Sequence, residues 1–290
     1  MADATARPLS PRRTSKALRR FWRNPRTLFG VVMLLLIIMT AVFAPLLSTH
    51  DPNKQDLRNR LQPPSSEHWL GTDHFGRDTY SRIMYGGRLS ISVGFLSVGI
   101  ALAVGGLMGL LAGFYGGWMD RIMMAISDVL LALPGFLLAL AIVAALGSSL
   151  INVMIAVGIA TIPYFSRIMR SAVLSVREMD YVAAAEAAGQ DHRGIMVRHI
   201  VPNALSPVIV QVTLSLAGAI LTAAGLSFLG MGAQPPTAEW GAMLNGARDY
   251  LRESHYPVTF PGIAIVLTVL ALNFVGDGLR DALDPRGLAE

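Results

Sequence analysis

Long apolar stretches separated by short polar segments dominate the chain. The uncharged run 28–47 is about as long as one bilayer crossing requires. The charge-free segment 129–166 is too long for one crossing and predicts two, joined at 147–149. The remaining predicted crossings are 89–112, 205–230 and 261–276. The pattern therefore predicts an all-α polytopic membrane protein with six transmembrane helices.

Composition supports this class of protein. Hydrophobic residues make up 53% of the chain and charged residues 15%, with a mean hydropathy of +0.50. So few charges are atypical of a soluble domain of this size, and the apolar surface is expected to face lipid. The absence of cysteine excludes disulfides and thiolate metal sites.

The distribution of basic residues predicts the orientation of the chain. The tail 1–26 is rich in arginine next to the first crossing, which favours a cytoplasmic N-terminus. A nucleic-acid-binding tail is the alternative, but no second basic face accompanies these arginines. We expect a first transmembrane helix at 27–47, an external loop with an interfacial helix at 48–88, a five-helix core at 89–279, a cytoplasmic loop at 175–204 within it, and a cytoplasmic C-terminus at 280–290.

The cytoplasmic loop interrupts the apolar pattern with charge. Its alanine-rich stretch 182–188 has a high helix propensity. Gly189 suits a helix end, where a positive φ is cheap for glycine. Asp191 is placed to cap a second, short helix, and Pro202 is expected to force Val201 out of helical geometry. The sequence thus predicts a helix, a glycine hinge and a short helix that ends in a bend, although a plain interfacial helix with a turn remains an alternative.

This stretch resembles the coupling loop of ABC-importer permeases. The residues 183–185, Gly189 and 199–202 fall at the family spacing, but the acid that relatives carry is replaced here by Ala183, and Glu186 is the nearest carboxylate. The resemblance implies that the loop docks on an ATPase subunit. The residues expected to take part are Ala183, Ala184, Ala185, Glu186, Ala187, Gly189, Asp191, Arg193, His199 and Pro202.

Three further segments resemble the peptide and nickel transport branch of these permeases: 68–90, 225–251 and 273–288. The resemblance implies the type I ABC importer permease architecture and a bacterial inner membrane location. It also implies as partners a homologous second permease subunit, two ATPase subunits and an external solute-binding protein. Short peptides are the expected cargo, and nickel chelates, glutathione or another small solute are the alternatives.

No catalytic constellation is present in the sequence. The chain lacks a phosphate-binding loop ending in Gly-Lys-Ser/Thr, so we expect ATP and Mg²⁺ to be bound by the partner ATPase subunits and this chain to be non-catalytic, without a cofactor of its own. His68 and His74 do not have the spacing of a common helical ligand pair, and we expect no metal site.

Three residues within the apolar segments are candidates for the pathway or for helix packing. Asp128 either lines the substrate path or bonds to a neighbouring helix near the membrane surface, and we favour the second interpretation. Pro134 and Pro163 are expected to bend their helices. A secondary transporter driven by an ion gradient would require more intramembrane carboxylates or discontinuous helices, and a structural or signalling protein is a third possibility.

Overall fold

The computed structural model describes residues 19–283, and this part of the chain is built from α-helices. The N-terminal part of the predicted basic tail and the last residues of the predicted cytoplasmic C-terminus lie outside the described residues. The helices are α1 (Pro25–Val42), α2 (Ala44–Leu47), α3 (Thr79–Tyr115), α4 (Gly117–Leu131), α5 (Gly135–Leu146), α6 (Leu150–Arg177), α7 (Asp180–Ala187), α8 (His192–Ile195), α9 (Val201–Phe228), α10 (Trp240–Ala247) and α11 (Tyr256–Leu283).

Within the described residues, five helical stretches are long and apolar enough to cross a membrane. They are Pro25–Val42, Thr79–Tyr115, Leu150–Arg177, His192–Phe228 and Tyr256–Leu283. The pair α4 and α5 passes the same test together and supplies a sixth crossing if it is counted as one broken span. The predicted all-α polytopic fold is confirmed.

The third predicted crossing is not one helix but two. Helices α4 and α5 meet at an angle of 86°. Pro134 is the N-cap of α5, with φ −52° and ψ 132°, so the backbone leaves helical geometry immediately before the new helix starts. Because proline has no N–H to donate and its ring excludes the preceding turn, the chain breaks here instead of bending gradually. Pro163, by contrast, lies inside the unbroken helix α6.

The second crossing begins ten residues earlier than predicted. Asp78 is the N-cap of α3, and its carboxylate accepts the Ser81 backbone N–H at 2.7 Å. The resulting helix has 37 residues, which is about 55 Å at the usual rise. It therefore extends well past the hydrocarbon layer of a bilayer. Within 48–78 the only helical element is the short 3-10 turn Leu57–Asn59, so the helical part of the segment 48–88 is largely the start of α3.

Glycines allow α3 and α6 to pack backbone to backbone. A Cβ added to Gly105 would lie 2.4 Å from the Ile162 carbonyl oxygen, and one added to Gly113 would lie 2.9 Å from the Val173 Cβ. Glycines four residues apart on one helix face are the usual means of such close approach in membranes. This helix pair forms the centre of the core.

The polar residues at the start of α3 gather the connecting segments into a cap. The indole of Trp240 is buried and donates a hydrogen bond to the Ile83 carbonyl at 3.0 Å. The buried Arg82 guanidinium donates to the Pro52 carbonyl at 2.8 Å and to the Pro236 carbonyl at 3.3 Å. We call this region the cap end of the bundle. The C-terminal end of α3, where Phe114 lies near His192, is the opposite, loop end.

Candidate coupling loop at one end of the helix bundle

Helix α7 lies at the loop end and shows two different faces. Val182 is 1% exposed and packs with Tyr181 and Ala185 against the core. Burial raises the pKa of the Tyr181 phenol, which keeps this ring neutral and suited to packing. On the other side Ala183 and Ala184 are exposed. Ala187 and Ala188, one turn further along, are also exposed. The helix therefore presents a shallow row of methyl groups on this side.

Gly189 ends α7 as the sequence predicts. Its φ is +78°, in the left-handed region that favours glycine. The Gln190 N–H donates to the Ala185 carbonyl at 3.1 Å, and the Gly189 N–H donates to the Glu186 carbonyl at 2.9 Å. These two bonds form a Schellman motif, which satisfies carbonyls that the helix end would otherwise leave unpaired. The chain leaves the helix here with a defined geometry.

Asp191 occupies the N-cap of α8, but its side chain makes no capping hydrogen bond, contrary to the prediction. Its carboxylate instead lies over Gly194, where an added Cβ would be 2.7 Å from Oδ1. The Gln190 side chain also lies beside Gly194, with Nε2 3.0 Å from the same added Cβ, and its Oε1 contacts His199 Nε2 at 2.8 Å. The two side chains that follow the hinge glycine therefore both pack against the second segment.

The predicted bend at Pro202 is wrong. Val201 has φ −54° and ψ −49°, which are helical values, and the chain runs from the π-turn Met196–Ile200 directly into α9. Pro202 falls in the first turn of α9, where a missing N–H costs little. The segment after the hinge is therefore not a separate short helix. It is the beginning of a 37-residue helical stretch, His192–Phe228, that is long and apolar enough to cross a membrane.

Buried residues fix this second segment to the core. Ile195, Ile200 and Ala204 are each 0% exposed. Arg193 and Val197 lie on the open side, and Val197 is 66% exposed. No ion pair within residues 19–283 involves Glu186 or Arg193, although both are exposed. The loop is anchored on one face and offers small and charged groups on the other.

A charged cleft lies beside the loop, between α4 and α6. Arg170 holds the Asp120 carboxylate in a two-pronged contact, Nε to Oδ1 at 2.5 Å and a terminal nitrogen to Oδ2 at 2.6 Å. Asp128 contacts Arg167 at 2.7 Å, and the Asp128 side chain is 63% exposed. Asp128 is therefore paired with a neighbouring helix, as the favoured interpretation expects. The Asp120–Arg170 pair is not predictable from local sequence, because 50 residues separate its members.

The other pathway candidates are not brought together. Pro134 is exposed at the break between α4 and α5, whereas Pro163 is buried inside α6. Pro163 contributes to a polar contact between helices: its carbonyl accepts the Ser166 hydroxyl at 3.0 Å, and Ser166 in turn contacts the Ser127 hydroxyl at 2.8 Å. These bonds lock α6 against α4 near the charged cleft.

At the cap end, His68 and His74, the two histidines named from the sequence, have different partners. His74 stacks on Tyr250, with ring centroids 5.0 Å apart and an interplanar angle of 13°. Burial lowers the pKa of the His74 imidazole and outweighs the opposing effect of the Asp73 carboxylate. A neutral, stacked ring is a packing element. The structure therefore does not pair His74 with His68.

Comparison with known proteins agrees with this architecture. The family model described as "Binding-protein-dependent transport system inner membrane component" matches residues 105–287, and "N-terminal TM domain of oligopeptide transport permease C" matches residues 13–64. The chain is 48% identical to the dipeptide transport system permease protein DppC of Alkalihalophilus pseudofirmus, over 93% of this chain and 89% of the relative. It is 46% identical to the glutathione transport system permease protein GsiD of Pectobacterium atrosepticum, over 92% and 89%.

A solved structure shows the same fold at low sequence identity. The match is to an inward-facing conformation of the MetNI methionine ABC transporter, with a TM-score of 0.57 and 17% identity. The match covers 70% of this chain and 96% of that chain.

Proposed function

The chain belongs to the family of binding-protein-dependent transport system inner membrane components, and from this membership we propose that it is one of two permease subunits of an ATP-driven importer of short peptides. The dipeptide permease named above supports the peptide cargo. Glutathione is the second candidate, because a permease named for it is nearly as similar. Both candidate cargoes are short peptides.

The coupling loop carries the mechanistic part of the proposal. Its exposed alanine row accepts a partner surface at close range, while Val182, Ile195 and Ile200 tie the loop to the core. A force applied to α7 therefore reaches the membrane helices with little loss in flexible connections. The continuity of the helical stretch His192–Phe228 extends this path through the bilayer.

The proposed cycle requires a large bias between two conformations. Converting a bundle from mostly inward-open to mostly outward-open requires about 5.5 kcal/mol of differential binding. We propose that ATP and Mg²⁺, bound between two ATPase subunits in trans, supply it, and that the ATPases pull on this loop and on the equivalent loop of a homologous second permease subunit. This chain contributes no catalytic residue. An external solute-binding protein delivers the peptide at the cap end.

We propose that both chain termini and the coupling loop lie in the cytoplasm of a bacterial cell. The natural absence of cysteine makes the proposal directly testable. Ala187 lies on the exposed face of α7, and Ser66 is exposed near the cap end, so each is replaced by a single cysteine. In intact spheroplasts a membrane-impermeant maleimide should label Ser66→Cys and leave Ala187→Cys unlabelled until the membrane is opened. The reverse labelling would contradict the proposed orientation.

The transport proposal is tested by reconstitution. The tagged chain, co-expressed with the neighbouring transport genes, should purify with a nucleotide-binding subunit, and Ala187→Cys should crosslink to it through a short bifunctional reagent. Proteoliposomes containing the complex should take up labelled dipeptide only with ATP and the binding protein. Competition with glutathione distinguishes the two cargoes. Uptake by this chain alone along an ion gradient would instead identify a secondary transporter.

A further inference from the structure

Three side chains that are distant in sequence meet at the cap end. His68 Nδ1 lies 3.0 Å from Asp78 Oδ1, and His50 Nδ1 lies 3.9 Å from the same oxygen. The three ligand atoms are all within 4.8 Å of one another. His50 follows α2, His68 lies in the connecting segment, and Asp78 is the N-cap of α3. Spacing along the sequence suggests His68 with His74 and not this set, because His50 comes close only through the fold.

We propose that His50, His68 and Asp78 form a binding site for a divalent transition-metal ion of the zinc type. Two imidazole nitrogens and one carboxylate oxygen suit Zn²⁺ and its neighbours better than Mg²⁺ or Ca²⁺, which prefer oxygen ligands. Three protein ligands leave a fourth position for water or an external group.

The distances suit such an ion with a small adjustment. Ligand bonds of about 2.1 Å in tetrahedral geometry place ligand atoms about 3.4 Å apart. The two histidine–carboxylate distances of 3.0 and 3.9 Å lie on either side of this value. His50 has room to move, since its side chain is 33% exposed and an open cleft lined by Thr49, His50 and Asp51 leads to it. The ion therefore has an entry path.

The surroundings hold the ligands in place. The two oxygens of Asp78 are divided between two tasks: Oδ2 accepts the Ser81 backbone N–H at 2.7 Å, and Oδ1 faces the histidines. The His50 backbone N–H donates to the Ser81 hydroxyl at 3.1 Å. The Asp78 side chain is 1% exposed and the His68 side chain 13% exposed. A partly desolvated carboxylate with one oxygen already fixed is well placed to retain a cation.

The site would add a link between two parts of the chain that already meet at the cap end, where the Arg88 guanidinium donates to the Ala41 carbonyl at 2.6 Å. His50 lies in the segment 13–64, which matches the N-terminal transmembrane domain model, whereas Asp78 belongs to α3 of the core. A bound ion would fasten the first crossing to the core at the cap end. This role is independent of the ATPase contacts at the loop end.

Metal binding is measured on the full-length chain in nanodiscs together with the subunits that co-purify, carrying a tag without histidine. The parent complex and its variants are dialysed against micromolar Zn²⁺ with excess Mg²⁺, and zinc per complex is determined by mass spectrometry. Since the chain has no cysteine and six histidines, few other ligands in it compete. His255→Ala is the matched control, an exposed histidine near the start of α11.

We expect one more zinc per complex in the parent and in His255→Ala than in the double variant His50→Ala/His68→Ala. Asp78→Asn should weaken affinity at least tenfold while keeping the helix cap, because asparagine caps as well as aspartate. Zn²⁺ should raise the melting temperature of the parent and not of the double variant. Bound Co²⁺ should give visible bands of nitrogen–oxygen coordination.

Equal zinc content in the parent and in the double variant would overturn the proposal. So would a parent that binds no zinc under these conditions, which would leave His68 and Asp78 as a hydrogen-bonded pair only. Peptide uptake is assayed in parallel with and without chelator. Because binding is read directly from metal content, a failure of transport leaves the metal result intact, and the reverse also holds.

Discussion

Substitution of Gly189 tests whether the geometry of the hinge couples ATP hydrolysis to transport. Its φ of +78° is unfavourable for residues with a Cβ, yet an added Cβ would meet no atom within 4 Å. Any effect of substitution therefore comes from backbone strain and not from a clash. The left-handed conformation costs an ordinary residue about 1–2 kcal/mol, more for a β-branched side chain and less for asparagine.

The strain increases the fraction of molecules in which the loop has left its native bend. A cost of about 1–2 kcal/mol changes the ratio of the native bend to alternative conformations by a factor of about 5–30. The Schellman bonds from Gly189 and Gln190 to α7 would open in those alternatives. We expect the molecules of ATP hydrolysed per peptide imported to rise in the order Gly189→Asn, Gly189→Ala, Gly189→Val.

The assay uses proteoliposomes that contain the complete complex, with hydrolysis and peptide uptake measured on the same sample. Gly218→Val is the matched control, because it is the same substitution at an exposed glycine inside α9, where an added Cβ also meets no atom within 4 Å and the backbone is helical. All variants should insert into the membrane in equal amounts. Unchanged coupling in Gly189→Val, or equal loss in Gly218→Val, would refute the argument from backbone strain.

Three other substitutions test the packing of the bundle and the cap. Gly109→Val places a Cβ 2.2 Å from a carbonyl oxygen of α6, so we expect a severe loss in the yield of monodisperse protein. Gly99→Val is the control and should be tolerated, because an added Cβ there meets no atom within 4 Å. Asp120→Asn removes a charge-assisted contact to Arg170 and should lower stability by about 1 kcal/mol, measured as a fall in melting temperature that is smaller at high salt. The pKa of His74 is lowered from 6.5 in the folded state, so protonation favours the unfolded state and the stability of the protein should fall as the pH decreases through 6.5. The melting temperature of His74→Phe should fall less than that of the parent over the same pH range.

Local rules were sufficient for much of this protein. The apolar lengths predicted the crossings because burying a helix in lipid requires no particular partner, and five of them are single helical stretches in the structure. Gly189 was predicted from its position after an alanine-rich helix, since positive φ is a property of the residue itself.

The same rules failed where the outcome depends on neighbours. Pro202 was expected to end the helical geometry, but the preceding π-turn and the buried anchors Ile195 and Ile200 keep Val201 helical. Pro134 was expected to bend a span, and the tertiary structure turns it into a break of 86°. Proline removes a hydrogen bond in every case, and its surroundings decide how the chain responds.

The sequence by itself determined a multi-pass helical membrane protein with a rigid loop between its fourth and fifth crossings. Hydrophobic length, helix propensity and the backbone geometry of glycine depend only on residues that are close together in the sequence. Only the tertiary structure decided which charges meet. Asp120 and Arg170 are 50 residues apart in the chain, and His50 reaches Asp78 across 28 positions, the difference of their numbers. Such pairs depend on which faces of distant helices come into contact, and that choice is made by the packing of the whole bundle.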